Sequence, residues 1–398
     1  MTLAAAGAIA AAEPASPLAP RPRHDIPALT GLRGVLALWV VLFHVTAGAE
    51  LVGTPVYEHL GAALANLMLS GSLAVEGFFI LSGFVLSHVH DRDFAMGAHW
   101  RESLRFWGLR LGRIYPVHVL MLAAYLIVNA MGFDWMIRTC GNPANRPFAC
   151  DRFSGEGLAE QLLLIQAWGA DPKVGWNFVS WSISSEWFAY ICFPILPLAM
   201  APVARRAALA IAGALIAAII PILLLVAPSF HGLPDDYGLM RVIPTFLAGC
   251  LLYRAYRAPD FEEVPWPGVA IVCLGFMVLI LAAGVIPIAS MMFLPPLVLA
   301  ISSRQPGVIA RALSSRPALW LGRISYALYM SHFLVLELLN GWVLGTGKLW
   351  IYETRHSLLG VYAIVIVVTC VVATAIHHTI EQPARHWLRR RLTDDVTR

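Results

Sequence analysis

The chain has 398 residues, of which 59% are hydrophobic and only 13% are charged, and its mean hydropathy is +0.70. Soluble globular proteins carry roughly 25% charged residues, so this composition excludes a soluble protein with a single large core. The formal net charge of +4 is small for so long a chain and does not indicate a nucleic-acid partner. We therefore predict an all-α, polytopic membrane protein.

Apolar runs follow one another along the chain, and each is long enough for a helix that crosses a bilayer. Residues 1–27 precede them and are interpreted as a flexible cytoplasmic tail, because no basic region precedes their short apolar part as it would in a signal peptide. Residues 28–388 form one membrane domain, and 389–398 a basic cytoplasmic tail. The ten predicted spans are 28–48, 70–89, 115–133, 181–201, 207–227, 240–256, 267–286, 288–303, 318–342 and 357–379.

The distribution of Lys and Arg predicts the orientation. Most of them fall in the tails and loops on one side, which is expected to be the cytoplasm. Both termini then lie inside, and the loop that holds Cys140 and Cys150 lies outside, where these two cysteines could pair. The apolar segment 158–168 is too short to cross and is interpreted as a helix at the membrane surface.

The first span, LTGLRGVLALWVVLFHV at 29–45, contains Arg33 and His44. An Arg at the centre of a membrane helix costs about 2.5–3.5 kcal/mol on insertion scales, so its presence calls for a function. The two residues are eleven positions apart. They therefore share one helix face and lie roughly 16 Å apart along the axis.

Other polar residues of the spans fall at the same two depths. Glu76 and Glu186 lie near the start of spans that begin outside, at the level of His44. Arg110 and Arg113, in RLGRIYP, lie at the inner level with Arg33. This arrangement predicts a channel whose inner end binds a phosphate-bearing ligand and whose outer end moves protons near neutral pH.

Every one of these residues also has a structural interpretation. Intramembrane His, Arg and Glu side chains can join neighbouring helices, and arginines near a helix end can be positive-inside anchors. His332, in SYALYMSH, fits a core and a site equally well. Trp176 and Trp181 fit a membrane interface, where Trp is common, and Glu381 is interpreted as a cap or anchor of the last helix.

Common catalytic signatures are missing from the sequence. The six cysteines show no metal-ligand spacing, and we predict no metal site. There is no GxSxG, GxGxxG or P-loop pattern, so a hydrolase triad, a dinucleotide site and an ATPase are unsupported. His88 and Asp93 form an HxxxxD spacing that is weak by itself.

Six segments together resemble the acyltransferase 3 family of bacterial membrane-bound O-acyltransferases, over about residues 26–388. In chain order they are LTGLRGVLALWVVLFH, VEGFFILSGFVL, RLGRIYP, WNFVSWSISSEWFAY, LGRISYALYMSH and IEQPAR. Any one is weak, but all of them in this order are specific. One departure is Glu76-Gly77, where the family usually has Asp followed by a bulkier residue.

The resemblance implies a ten-helix bundle of the inner membrane with both ends in the cytoplasm. It implies transfer of an acyl group, commonly acetyl from acetyl-CoA, to a hydroxyl of a surface glycan, a lipid-linked sugar or a macrolide. His44 is then the implied catalytic residue, and the arginines at 33, 110 and 113 are the implied contacts of the acyl-CoA donor. We expect no permanently bound cofactor; the partners are acyl-CoA, the acceptor and membrane lipid. Many members carry a fused extracytoplasmic domain; this chain ends soon after the last span, so we expect any second transfer to need another protein.

In the mechanism we predict, acyl-CoA enters from the cytoplasm and His44 acts as a general base on the acceptor hydroxyl, or carries the acyl group itself. Glu76 or Glu186 would orient its imidazole, as the acid of a triad does. Ser182 or Trp181 would stabilise the oxyanion. The predicted substrate-binding residues are Trp176, Trp181, Ser182 and His332.

Two other functions fit the same polar residues. Ten helices with intramembrane Arg, His and Glu also describe a proton-coupled transporter, although the internal repeats common in carriers are not visible. A subunit with an assembly role and no chemistry of its own is the second alternative.

Overall fold

The computed structural model describes residues 25–51, 53–131, 153–169, 175–226, 237–305, 307–346 and 354–394. Within these ranges every regular element is helical. Residues 1–24 of the predicted tail, Cys140 and Cys150 lie outside the described residues, so the tail and the possible disulfide stay predictions. Residues 389–394 of the predicted C-terminal tail continue a helix.

The N-terminal half of the described chain is built around helices α1, α4, α5 and α7. Its helices are α1 (Pro27–Leu51), α2 (Val56–Leu60), α3 (Ala62–Leu69), α4 (Ala74–Phe94), α5 (Trp100–Ala130), α6 (Gly155–Leu163), α7 (Trp181–Cys192) and α8 (Leu196–Met200). Short 3₁₀ turns join α3 to α4 and α7 to α8.

The C-terminal half contributes the helices that enclose α1 and α4. They are α9 (Arg205–Val226), α10 (Gly238–Tyr256), α11 (Trp266–Ala283), α12 (Leu294–Ser302), α13 (Val308–Leu313), α14 (Arg316–Thr346), α15 (Arg355–Ile376) and α16 (Gln382–Asp394). A π-helical segment, His377–Glu381, connects α15 to α16.

The described residues contain seven helical stretches that are long and apolar enough to cross a membrane. They are Pro27–Glu50, Ala62–Phe94, Trp100–Ala130, Phe178–Met200, Ala207–Leu225, Trp266–Ala283 and Arg355–Leu392. The chain is therefore a multi-pass helical protein.

The other three predicted spans are also helical, but they do not meet the same criterion. The span 240–256 is α10, the span 318–342 lies in α14, and the span 288–303 falls in the shorter apolar helix Pro287–Ser302. Buried polar residues such as Arg241 in α10 and His332 in α14 make these helices less apolar. The count of ten and the side of the termini stay predictions.

Helix α5 begins much earlier than the predicted span 115–133. It is continuous from Trp100 to Ala130 and contains Pro116. Its first half carries several arginines and Glu102, so hydropathy marks only the second half as apolar although the helix is unbroken. Arg110 and Arg113 thus lie within a helix rather than in a loop before it.

Helix α1 packs most extensively against α14, and glycines allow the two backbones to approach closely. A Cβ atom at Gly34 would lie 2.6 Å from the backbone nitrogen of Gly322, and a Cβ atom at Gly322 would lie 2.0 Å from the carbonyl oxygen of Thr30. Helices α4 and α10 approach in the same way at Gly83 and Gly249. These contacts place one face of α1 directly against α14.

The segment that precedes α7 is held to the bundle by polar contacts. The buried His118 of α5 contacts the carbonyl oxygen of Gln161 through Nε2 at 2.8 Å. The Gln161 side chain accepts a hydrogen bond from the backbone N–H of Asn177 at 3.1 Å. The α6 helix has nine residues, which makes it about 14 Å long and too short to cross the membrane. The segment thus packs against α5, and its turn Phe178–Ser180 contacts α14.

We expect Gly322→Ala to lower the melting temperature of the detergent-solubilised protein, because the new methyl group forces the backbones of α1 and α14 apart. Overpacking of this kind costs about 1–3 kcal/mol. Gly275→Ala, in α11, is the matched control, since a Cβ atom there meets nothing within 4 Å. Equal melting temperatures for the two variants, measured by thermal denaturation, would contradict the packing described.

Candidate active site

A cavity opens between α1, α4, α5, α7 and α14, and arginines line it. Arg33, Arg110 and Arg113 line it, and among the described residues of its lining only Glu186 carries a carboxylate. The cavity encloses about 790 Å³ of empty space, including its open mouth. The lining therefore has more positive than negative groups and favours an anionic ligand.

Arg33 is held in the cavity wall by the neighbouring helix. Its Nη2 donates to the hydroxyl oxygen of Ser325 at 3.2 Å, and the Ser325 hydroxyl donates to the carbonyl oxygen of Gly322 at 2.9 Å. Since Gly322 lies at the closest approach of α1 and α14, helix packing fixes this contact. Arg33, Arg110 and Arg113 line the same cavity, and their role as contacts of the acyl donor stays a prediction.

Arg110 has unused hydrogen-bonding capacity. Its guanidinium lies 5.6 Å from the ring centre of Phe106, and its buried Nε makes no hydrogen bond within the described residues. A buried donor without a partner is costly, and a bound anion would satisfy it.

Glu186 lies among the arginines rather than beside His44. Its Oε1 accepts hydrogen bonds from the hydroxyls of Ser82 and Tyr190, each at 2.6 Å. A carboxylate in this position balances part of the positive charge of the cavity.

His44 is paired with His332, a contact that the sequence did not predict. His332 Nε2 lies 3.1 Å from His44 Nδ1, and His332 Nδ1 lies 2.6 Å from the carbonyl oxygen of Tyr329. His44 Nδ1 also lies 3.0 Å from the carbonyl oxygen of Val40. His332 is fully buried, whereas His44 is half-buried.

Aromatic rings surround His44. Its ring centre lies 4.8 Å from that of Phe43, 5.3 Å from that of Phe333 and 6.1 Å from that of Phe178. Phe178 and Phe333 also contact each other, with centres 5.0 Å apart. The imidazole is thus the polar group of a largely apolar environment.

Tyr329 connects the cavity with the histidine pair. It lines the cavity, and its carbonyl oxygen contacts His332. Its hydroxyl pairs with that of Ser182 at 2.7 Å, and Ser182 also lines the cavity. His44 itself is not among the residues that line the cavity, so the two parts of the site are adjacent and meet at Tyr329.

Glu76 forms a buried ion pair with Arg241 of α10. Oε1 of Glu76 accepts from Nη2 of Arg241 at 2.6 Å and from its Nε at 2.7 Å. The Arg241 guanidinium also lies 4.4 Å from the ring centre of Trp181. Sequence reasoning missed Arg241, although an Arg inside the predicted span 240–256 is the same signal that singled out Arg33.

The remaining predicted residues have structural contacts. Trp176 is buried, and its Nε1 donates to the carbonyl oxygen of Ser154 at 2.9 Å. Glu381 lies in the π-helical segment, where His377 Nδ1 contacts its Oε2 at 2.9 Å. The catalytic role of Glu76 and Glu186 and the substrate-binding role of Trp176, Trp181 and Ser182 stay predictions. Among the described residues, no group of three His, Cys, Asp or Glu side chains is arranged to hold a metal ion.

Comparison with known proteins is consistent with an acyl-transfer site. The family model described as an acyltransferase domain matches residues 26–378. The chain is 28% identical to acyltransferase MdmB of Streptomyces mycarofaciens, over 92% of this chain and 93% of that protein. It is 22% identical to O-acetyltransferase OatA of Staphylococcus aureus, over 92% of this chain and 58% of OatA. It is also 22% identical to the putative peptidoglycan O-acetyltransferase YrhL of Bacillus subtilis, over 90% of this chain and 55% of YrhL.

The chain thus spans little more than half the length of OatA and YrhL. No solved structure matches it significantly. The matches support the enzyme over the transporter and the assembly subunit, because both the family and the relatives are acyltransferases. The chain belongs to the acyltransferase 3 family, and it is a multi-pass membrane enzyme that transfers acyl groups.

Proposed function

We propose that this enzyme moves an acyl group, in the simplest case acetyl, from cytoplasmic acyl-CoA to a hydroxyl of a cell-surface or lipid-linked glycan in the inner membrane. The observation that carries the proposal is the adjacency of an arginine-lined cavity and a histidine pair, joined through Tyr329. The first can bind an anionic donor, and the second can activate an alcohol.

The donor end of the site has the chemistry that phosphate groups require. Three guanidinium groups and one carboxylate line the cavity, and the Nε of Arg110 is without a partner in the described structure. Guanidinium groups bind phosphate oxygens through paired, charge-assisted hydrogen bonds. The concentration of Lys and Arg on the side of both termini supports entry of the donor from the cytoplasm.

The acyl carbon would lie at the Tyr329 end of the cavity, facing the histidine pair. There His44 takes the proton of the acceptor hydroxyl while the hydroxyl oxygen forms a bond to the acyl carbon. The C–S bond of the thioester then breaks, and the proton passes from His44 to the leaving thiolate. Of the paired hydroxyls of Ser182 and Tyr329, the one that donates to the carbonyl oxygen of Val179 can turn and donate to the thioester oxygen as that oxygen gains charge.

A covalent acyl-His44 intermediate is the alternative path. In that path the imidazole displaces the thiolate and forms a C–N bond to the acyl carbon. The acceptor hydroxyl then attacks this carbon, the C–N bond breaks, and the hydroxyl proton passes to the thiolate. Rapid quenching after the enzyme is mixed with radiolabelled acetyl-CoA, without acceptor, distinguishes direct transfer from the covalent path. Label bound to a peptide that contains His44 indicates the covalent path.

The acceptor class is supported by the relatives named as O-acetyltransferases, one of them as a putative peptidoglycan O-acetyltransferase. Mass spectrometry of surface glycans, lipids and secreted small molecules, from cells with and without this protein, tests it. A mass difference on a glycan gives the acyl group and the acceptor together. A difference confined to a small molecule, such as a macrolide, would replace the glycan with that acceptor.

We expect His44→Ala to lower acyl transfer about 10²–10⁴-fold, since general base catalysis contributes about that much. The measurement is incorporation of label from acetyl-CoA in membrane vesicles with equal amounts of each variant. His356→Ala is the matched control, because His356 is exposed at the start of α15. Normal transfer by His44→Ala would rule out the proposed mechanism.

We expect Arg110→Ala and Arg113→Ala each to weaken binding of CoA about 10- to 100-fold, since a hydrogen bond to a charged group contributes about 1.5–3 kcal/mol. Calorimetric titration of CoA into the protein in nanodiscs measures the change. Arg113→Lys should lose less, because it keeps the charge and only loses the paired geometry. Arg355→Ala, at an exposed residue away from the cavity, is the control. Unchanged CoA affinity in the Arg110→Ala/Arg113→Ala double variant would place the donor elsewhere.

A further inference from the structure

Three polar contacts in series determine where the protons of the histidine pair lie. The carbonyl oxygen of Tyr329 can only accept a hydrogen bond, and it lies 2.6 Å from His332 Nδ1. His332 Nδ1 must therefore carry a proton. In the neutral ring the other nitrogen, Nε2, then has a lone pair and acts as an acceptor.

The same reasoning assigns the proton of His44. Its Nδ1 lies 3.1 Å from His332 Nε2, the nitrogen with the lone pair, and 3.0 Å from the carbonyl oxygen of Val40. Both neighbours are acceptors, so His44 Nδ1 carries a proton and shares it between them. His44 Nε2 is then the nitrogen with the lone pair, and it makes no hydrogen bond within the described residues.

His332 is the better of the two acceptors for a His44 that has gained a proton. The Val40 carbonyl is also the expected acceptor of the backbone N–H of His44, four residues further along α1. The lone pair of His332 Nε2 has no other hydrogen bond among the described residues. It can stabilise the imidazolium ion, the task that a carboxylate performs in a catalytic triad.

Both predicted carboxylates are bonded to other groups. Glu76 is committed to Arg241, and Glu186 to the hydroxyls of Ser82 and Tyr190. An uncharged acceptor also suits the aromatic surroundings of His44, because a buried carboxylate without its own cation is costly there.

We infer that His332 is a positioning residue that keeps the proton of neutral His44 on Nδ1, leaves Nε2 as the base, and accepts a hydrogen bond from the imidazolium that forms during transfer. This inference rests on the proposed function, in which His44 is the base. It assigns His332 a role through His44 instead of the substrate contact predicted from the sequence.

The test compares His332→Phe, which removes the acceptor, with His332→Gln, whose amide oxygen can occupy nearly the position of Nε2. For His332→Phe we expect kcat to fall about 10- to 100-fold while KM for the acyl donor changes less than about twofold, because the Val40 carbonyl still favours the same tautomer. His332→Gln should recover a substantial part of kcat. Ser331→Ala is the control, since its buried hydroxyl has no partner in the described structure.

The double variant His44→Ala/His332→Phe separates positioning from a structural effect. If His332 acts through His44, the double variant retains the same residual rate as His44→Ala. A further loss in the double variant, a normal kcat for His332→Phe, or equal rates for His332→Phe and His332→Gln would each overturn the inference. A normal rate for His44→Ala alone overturns the proposed function itself, so the two failures are distinguishable.

Nitrogen-15 solid-state NMR of the unaltered protein reports the tautomer of His44 directly, without a rate measurement. The chain has 13 histidines, and the His44 signals are those that disappear in the His44→Ala spectrum. We expect a proton on Nδ1 and none on Nε2 at neutral pH. A proton on Nε2 of neutral His44 would contradict the arrangement.

Discussion

The close approach of α1 and α14 is the constraint on which the site depends. At Gly34 and Gly322 the two backbones lie so close that a Cβ atom at either position would overlap backbone atoms of the other helix. At one end of this contact Arg33 donates to Ser325, and further along the same helix pair His44 contacts His332. One helix pair therefore holds a cation of the arginine-lined cavity and the proposed base in a fixed relation. A change in the crossing of these helices would displace both at once.

The structure also shows how a helical bundle accommodates charges that would be costly in contact with lipid. Arg241 is paired with Glu76 and covered by Trp181, so this charge is neutralised inside the bundle. Glu186 is satisfied by two hydroxyls. The three arginines of the cavity are different, because one carboxylate among them leaves the lining short of negative charge. The Glu76–Arg241 contact is thus a structural ion pair, whereas the arginine-lined cavity has the excess positive charge that a site for an anion requires.

Composition and hydropathy were sufficient to predict a multi-pass helical protein, because long apolar segments have few alternatives in a membrane. The grouping of Arg33, Arg110 and Arg113 could also be predicted, since it follows from depth and orientation. The partners of Glu76 and Glu186 could not. Depth alone placed them with His44, but the rotation of each helix about its axis decides which neighbour a side chain meets, and that rotation depends on contacts between distant segments.

The histidine pair is a second example of side-chain partners that the sequence does not predict. His44 and His332 are 288 positions apart, and neither sequence nor hydropathy indicates that they touch. A glycine such as Gly322 allows a close helix contact, but the sequence does not identify the partner helix. Boundaries were uncertain for a simpler reason, as in α5, where a polar helical half precedes an apolar one.

The side chains of Phe43, Phe178 and Phe333 surround His44. This apolar environment affects whether an alcohol or a water molecule reaches the imidazole. A free water molecule beside the imidazole would have few groups to bond with among these rings, whereas a bulky acceptor brings its own hydroxyl and covers the aromatic faces as it binds. In the proposed mechanism, these surroundings favour transfer over hydrolysis of the acyl donor. Such discrimination comes from the lack of polar neighbours and not from an additional recognition group.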